Sequence, residues 1–238
     1  RPLAAAALRL VRTAGSPLPK EKSMLFDQRE RRDLEKRMKE ENRLPPGQSA
    51  TIKFPVLHYG PVPRVDLTKW DFRVFGLVAE ERRWTWEEFN QLPRAQVTLD
   101  IHCVTRWSKF DTLWEGVSVK TLVDEGFIRP SPDARFVIQH CEYGYTTNTP
   151  IEFVLQAGFI LATHYDGEPL TPDHGYPLRG VAGVLPGQRA DDKYFWKGGK
   201  WLRGLEFSAT DKPGFWERNG YHNHADVWKE QRHSWPGF

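Results

Sequence analysis

Apolar and polar residues alternate at period two through residues 97–103, which places Val97, Leu99, Ile101 and Cys103 on one face of a predicted strand. Further strands are predicted over residues 70–78, 135–141, 158–163 and 201–207, each a short apolar or β-branched run bounded by turn residues. Helical spacing is rarer. Thr85-Trp86-Glu87-Glu88 reads as a capping box opening a helix that stops before Pro93. Thr149-Pro150 starts another, which Gly158 can cap. Residues 26–43 carry both charge signs densely, with Leu34 and Met38 at i,i+4, and predict a solvated helix with a narrow apolar stripe. The run Leu44-Pro45-Pro46-Gly47 ends that helix. Residues 175–199 are glycine-rich and read as loop, and the tail from Asp211 reads as aromatic, irregular and wrapped on the body. Strands and helices mix without a regular βαβ rhythm, so the expected class is α+β with a mixed sheet. The expected organisation is an N-terminal arm and charged helix over residues 1–43, the first 23 of them flexible, and one folded domain over 44–238.

Composition sharpens this picture in three ways. With 39% hydrophobic and 27% charged residues, a packed core is within reach and global disorder is disfavoured. Ten tryptophans suit a broad core or a pocket with flat walls. The net charge of +3 is unevenly spread: residues 1–48 balance at +5 and residues 49–238 at −2. The body therefore lacks the basic excess that nucleic-acid binding needs. No run approaches the ~20 apolar residues of a membrane span. Two cysteines make no disulfide framework, so a reducing, cytoplasmic compartment is expected.

Cys103 ends a buried row at a strand terminus and leads into Val104-Thr105-Arg106. Strand ends that open into loops are common catalytic positions, and Arg106 nearby favours a thiolate, the donor soft metals prefer. From the spacing alone an inert packed cysteine is the preferred reading for Cys103, as it is for Cys141. The pairs His102-Cys103 and His140-Cys141 contain zinc-ligand types, but strand neighbours point to opposite faces and no short C-x-x-C spacing is present. His222 and His224 are two apart and suit a shared strand face or a hydrogen-bonded surface. The stretch from His174 through Arg179, and then Lys197, Gly198, Gly199 and Lys200, has the chemistry of an anion cradle, although it is neither a Walker loop nor a dinucleotide fingerprint.

Taken in order, four segments resemble one family: Phe54-Pro55-Val56-Leu57-His58; Cys103-Val104-Thr105-Arg106-Trp107-Ser108 with Trp114-Glu115-Gly116; Gly144-Tyr145-Thr146-Thr147-Asn148; and Asp166-Gly167-Glu168-Pro169 leading to His174 through Arg179 and Lys197 through Trp201. The set is similar to the molybdopterin-binding domain of sulfite oxidases. Within that family it resembles the small bacterial and archaeal oxidoreductases related to the catalytic subunit of protein-methionine-sulfoxide reductase. The tail residues Pro213-Gly214-Phe215-Trp216-Glu217 with Gly220-Tyr221-His222 also look like that branch.

The resemblance implies the family's mixed, barrel-like α+β fold and a molybdenum–pyranopterin cofactor whose metal is held by Cys103. Tyr145 matches the active-site tyrosine, and Arg106 is a further cation beside the cysteine. His58, His174, Arg179, Lys197, Gly198 and Lys200 match positions that hold the pterin and its phosphate. The implied activity is two-electron oxygen-atom transfer, with reduction of S-oxides or N-oxides expected, on a small-molecule or methionine-sulfoxide-type substrate. A separate electron-transfer partner is implied. The arginine that precedes the histidine in sulfite oxidases is replaced by Val56 and Leu57, which argues against sulfite, a small dianion. A sulfite oxidase-like activity, an inactive cofactor-binding module and a zinc hydrolase are the competing readings.

Overall fold

The computed structural model describes the backbone of residues 20–234 and side chains from residue 27. Helix α1 (Lys20–Glu40) opens the described chain, and the earlier part of the expected arm lies outside the described residues. Exposed i,i+4 pairs such as Lys36–Glu40 (3.9 Å) line its outer side. The narrow apolar stripe docks: Met38 is fully buried against Ala50 and Phe110, with Leu34 packed beside them. Past the helix, Arg43 donates to both carboxylate oxygens of Asp100, at 2.9 and 2.7 Å. The charged helix is thus tied to the body, not held apart from it.

Period-two patterning becomes two mixed sheets. The strands are β1 (Ser49–Ala50), β2 (Asp71–Gly76), β3 (Arg82–Thr85), β4 (Arg94–His102), β5 (Trp107–Val117), β6 (Phe136–Cys141), β7 (Thr146–Pro150), β8 (Phe159–Tyr165), β9 (Glu168–Pro169), β10 (Arg179–Ala182) and β11 (Leu202–Ser208). The six-stranded sheet runs β1-β5-β8-β10, with β4 on β5 and β9 on β8; the five-stranded sheet runs β3-β2-β11-β6-β7. Each contains one parallel pair, β1 with β5 and β2 with β11, amid antiparallel ladders. This is the expected α+β class. Among the described residues neither sheet closes into a barrel; both keep edges.

Between and against the sheets sits the main core, in which Phe72, Val74, Phe89, Leu122, Val137 and Leu205 are fully buried. Burying such side chains contributes about 1.5–3 kcal/mol each. A second cluster, including Leu99, Ile101, Trp114 and Val181, backs the strands that carry the site. The capping box forms as expected at α2 (Trp86–Asn90), with the Thr85 hydroxyl accepting from Glu88 N–H and the Glu88 carboxylate accepting from Thr85 N–H.

Three expectations change. The helix after Pro150, which follows α3 (Val119–Asp124), is a single turn, α4 (Ile151–Val154), capped by Leu155; Gly158 is instead required where the chain crosses Gly183, whose carbonyl lies 2.6 Å from where a Cβ would sit. The glycine-rich stretch is not all loop, because it contributes β10 and a 3-10 turn at Phe195–Lys197. The tail carries one short helix, α5 (Phe215–Arg218).

Candidate active site

The β4–β5 hairpin turns through three residues. Cys103 N–H donates to Trp107 O at 2.8 Å, and Arg106 N–H donates to Cys103 O at 3.0 Å. Arg106 takes the left-handed position of this loop, with φ of 76°. The turn presents the Cys103 thiol to a cavity of about 400 Å³. The thiol is close to Thr105 Oγ1 (3.1 Å). Burial raises its pKa above the ordinary thiol value, opposed by Thr105 and by the Arg232 guanidinium. Cys141 does not line this cavity; it lies in the main core, and burial pushes its thiol up strongly.

A second wall is cationic. Arg179 begins β10, is fully buried, and lies over the Phe195 ring at 4.3 Å. Its guanidinium donates to the carbonyls of His174 (3.0 Å) and Gly180 (3.3 Å). Lys200 donates to the Asp173 carbonyl at 2.6 Å. Among the described residues no carboxylate forms an ion pair with either. Burial lowers Arg179 to about 9, and burial followed by the charge of Arg179 lowers Lys200 to about 7. His174, stacked on Phe54 at 4.0 Å, falls to about 4 through burial and then through both cations. Its buried Nδ1 has no hydrogen-bond partner. Arg179 depresses both Lys200 and His174, Lys200 depresses His174, and the nearby Asp173 charge offsets this only in part, so the cluster keeps a basic excess that an anion would complete.

The remaining walls are largely aromatic. Tyr145, whose hydroxyl donates to Trp196 O at 3.4 Å, is held well above the ordinary tyrosine pKa by burial and so stays a neutral donor. The tail supplies Phe215, Trp216 and Tyr221, with Trp216 stacked on Tyr221 at 4.9 Å. Tyr59 lies 4.5 Å from Phe215 across this face. His58 sits at the exposed rim, edge-on to Trp201 at 5.4 Å with Nδ1 3.0 Å from Gly60 O. Leu57 also lines the cavity, half exposed, whereas Val56 does not. The wall's one carboxylate, Glu142, is engaged by Arg203 at 2.7 Å.

Of the residues singled out from the sequence, Cys103, Tyr145, His58, His174, Arg179, Gly198 and Lys200 meet in this cavity. Two lie elsewhere. Arg106 is directed to the Gly47 carbonyl (3.5 Å), because its backbone serves the hairpin turn. Lys197 lies behind the wall with its ammonium 2.5 Å from Glu217, both side chains 1% exposed. Sequence reasoning also left Thr105, Trp196 and Tyr221 without roles. Tyr221 and Trp216 were visible as a tail motif, but nothing local says that the tail closes a pocket.

The description Oxidoreductase molybdopterin binding domain belongs to the family model that matches residues 59–216. The uncharacterized oxidoreductase YuiH of Bacillus subtilis (strain 168) is 45% identical over 194 residues, spanning 81% of this chain and 93% of that protein. The putative protein-methionine-sulfoxide reductase subunit YedZ1 of Azospira oryzae is 30% identical over 180 residues, spanning 74% of this chain and 64% of that protein. Among solved structures, the sulfane dehydrogenase SoxCD from Paracoccus pantotrophus matches with a TM-score of 0.53 at 19% identity, covering 68% of this chain and 43% of that one, a likeness of fold.

Proposed function

This chain belongs to the oxidoreductase molybdopterin binding domain family, and from that premise we propose that it reduces S-oxides or N-oxides by oxygen-atom transfer, with Cys103 as the protein ligand of molybdenum. The enzyme is an oxidoreductase and its cofactor is molybdopterin. The observation that carries the finer reading is the pairing, within one cavity, of a single thiol with a cation cluster to which, among the described residues, no carboxylate is ion-paired.

The residues present fit the cofactor. Arg179 and Lys200 would hold its phosphate through charge-assisted hydrogen bonds, and the orphaned Nδ1 of His174 would gain a partner. Cys103 offers one soft donor, which suits a metal whose other ligands come from the pterin dithiolene. Bound there, the cofactor supplies a two-electron couple: an S-oxide takes two electrons and two protons and leaves as thioether and water.

The chain's own residues supply recognition. The Tyr145 hydroxyl, kept protonated by burial, is a donor for the oxygen of a neutral oxide. Leu57 in the wall presents no charge to a sulfite dianion. The aromatic faces shed water and favour the hydrocarbon side of the substrate. A separate electron carrier completes the cycle in this reading.

The test has two parts. Purified protein is analysed for molybdenum and pterin, and steady-state rates with a reduced dye are compared for dimethyl sulfoxide, methionine sulfoxide and trimethylamine N-oxide, with sulfite oxidation assayed against an oxidised dye. Cofactor-loaded protein with kcat/KM highest for an S- or N-oxide is expected. A preparation loaded with cofactor that favours sulfite overturns the substrate assignment, and one whose metal is retained after Cys103→Ser overturns the ligand assignment.

A further inference from the structure

Behind the aromatic wall lies an ion pair that the chemistry of the cavity does not use. Lys197 stands between Trp196 and Gly198, and Glu217 follows Trp216; all three of these neighbours line the cavity, while Lys197 and Glu217 do not. The two charged side chains meet on the far side of the wall at 2.5 Å, each 1% exposed. Lys197 also donates to the Asn148 carbonyl at 3.0 Å and to Asn148 Oδ1 at 3.3 Å. Glu217 accepts from Trp196 Nε1 at 2.9 Å. Asn148 Oδ1 in turn accepts from Gly214 N–H at 3.1 Å, and Asn148 Nδ2 donates to Asp211 and Asn223. At Gly214 a Cβ would lie 2.4 Å from the Thr146 carbonyl, so the tail packs backbone to backbone on β7. These contacts join three segments distant in sequence: the glycine-rich loop, β7 and the tail.

We propose that Lys197 and Glu217 are positioning residues, whose buried pair fixes residues 214–221 against the glycine-rich loop and so sets the aromatic wall that selects substrates with an aryl or similarly flat group. The substrate part of this inference rests on reading the cavity as the S-oxide or N-oxide site; the positioning part does not. Lys197 has no ion-pairing capacity to spare for a cofactor phosphate, because its ammonium is committed to Glu217 and Asn148. Breaking a buried pair leaves an uncompensated charge, whereas replacing both partners by apolar residues of similar size is often tolerated. A double-mutant comparison therefore separates a strut from a cofactor ligand.

The experiment uses full-length protein as purified, in the variants Glu217→Gln, Lys197→Met and Lys197→Met/Glu217→Leu. Amide hydrogen exchange of residues 211–223, pterin content, and KM and kcat for methyl phenyl sulfoxide and dimethyl sulfoxide are measured. Exchange and pterin content are read whether or not the protein turns over S-oxides, so failure of the functional reading is distinguishable from failure of this one. The expected result has four parts. Glu217→Gln speeds exchange of residues 214–221 while keeping its pterin. Its KM for methyl phenyl sulfoxide rises about tenfold and that for dimethyl sulfoxide far less, as expected when a shaped aromatic face is lost. Its kcat changes little. The double variant restores wild-type exchange and pterin content. If the single variants do not fold, a folded, pterin-loaded double variant still supports the strut. Loss of pterin in both variants that lack Lys197, with full pterin in Glu217→Gln, assigns Lys197 to the cofactor and overturns the proposal. Unchanged exchange in both single variants overturns it too.

Discussion

At the scale of single residues, the two cysteines show how location separates chemistry from packing. Burial raises both thiols, but only Cys103 lines the cavity. Cys103→Ser is expected to fold and to lose roughly tenfold or more of its molybdenum, since a hydroxyl is a poor substitute for a soft thiolate. Cys141→Ala is expected to keep its metal and to cost about 1 kcal/mol in a denaturant melt. Equal metal loss in both folded variants would reverse the assignment. Lys200 offers a pH signature. Its pKa of about 7 in the cofactor-free protein lies below the lysine value of 10.5, so the unfolded chain binds more protons between those limits. Cofactor-free protein therefore gains stability from this group as pH rises from about 7 toward 10.5, the penalty being fully present below 7. An anion beside Lys200 raises its pKa again. Sulfate binding to cofactor-free protein should accordingly take up a proton at pH 8 and none at pH 6, seen calorimetrically as a binding heat that depends on the buffer at pH 8 alone. Buffer-independent heat at pH 8 would mean that Lys200 does not face the anion.

At the scale of elements, the site depends on a close approach between a strand and a loop. A Cβ on Gly198 would lie 2.5 Å from the Gly180 carbonyl oxygen and 2.7 Å from Ala182 N, backbone atoms of β10 that have little room to yield. Gly198→Ala is expected to destabilise by about 1–3 kcal/mol as an overpacked contact. It should also lower pterin content, because Arg179 opens the same strand. Urea denaturation and pterin analysis check both, and a variant as stable as wild type would show that the loop can shift. The hairpin carrying Cys103 makes the opposite point. Arg106 occupies a left-handed position that glycine adopts more readily. Arg106→Gly should leave the melting midpoint unchanged or raised, with an effect within about 1 kcal/mol. A larger loss would give the guanidinium a structural part beyond its long contact with Gly47.

At the scale of the whole molecule, both ends of the described chain are built into the body. The tail forms a wall of the cavity, and the N-terminal helix is anchored by Met38 and Arg43. Arg43 also meets Asp111 at 2.5 Å, and its bonds to Asp100 and Asp111 raise its own pKa against the effect of burial. Asp100 is nearly inaccessible and sits beside a register shift in the β4–β5 ladder. Arg43→Ala should cost about 3 kcal/mol, since removing one partner strands a buried carboxylate. The check is a shift in the urea midpoint at constant m-value. A loss below about 1 kcal/mol would mean that water replaces the guanidinium.

The sequence by itself determined the features that depend on near neighbours. The strands at residues 71–76, 94–102, 136–141, 159–165 and 202–208, the Thr85 capping box, the position of Cys103 at a strand end and the basic glycine-rich loop all follow from spacings of two to four residues. The ordered motifs that resemble one family were equally legible, because they are local strings. What only the tertiary structure decided is who meets whom across distance. It paired β2 with β11 in parallel, left Arg179 and Lys200 without an ion-paired carboxylate among the described residues, and gave Lys197 to Glu217. It also turned Arg106 away from the cavity and folded the tail's aromatic residues into its wall. Lys197 and Lys200 look equivalent in the string Lys-Gly-Gly-Lys. Their difference arises from burial: an ion in a low-dielectric interior must find its counter-charge there, and the available counter-charge is set by packing of segments far apart in the chain.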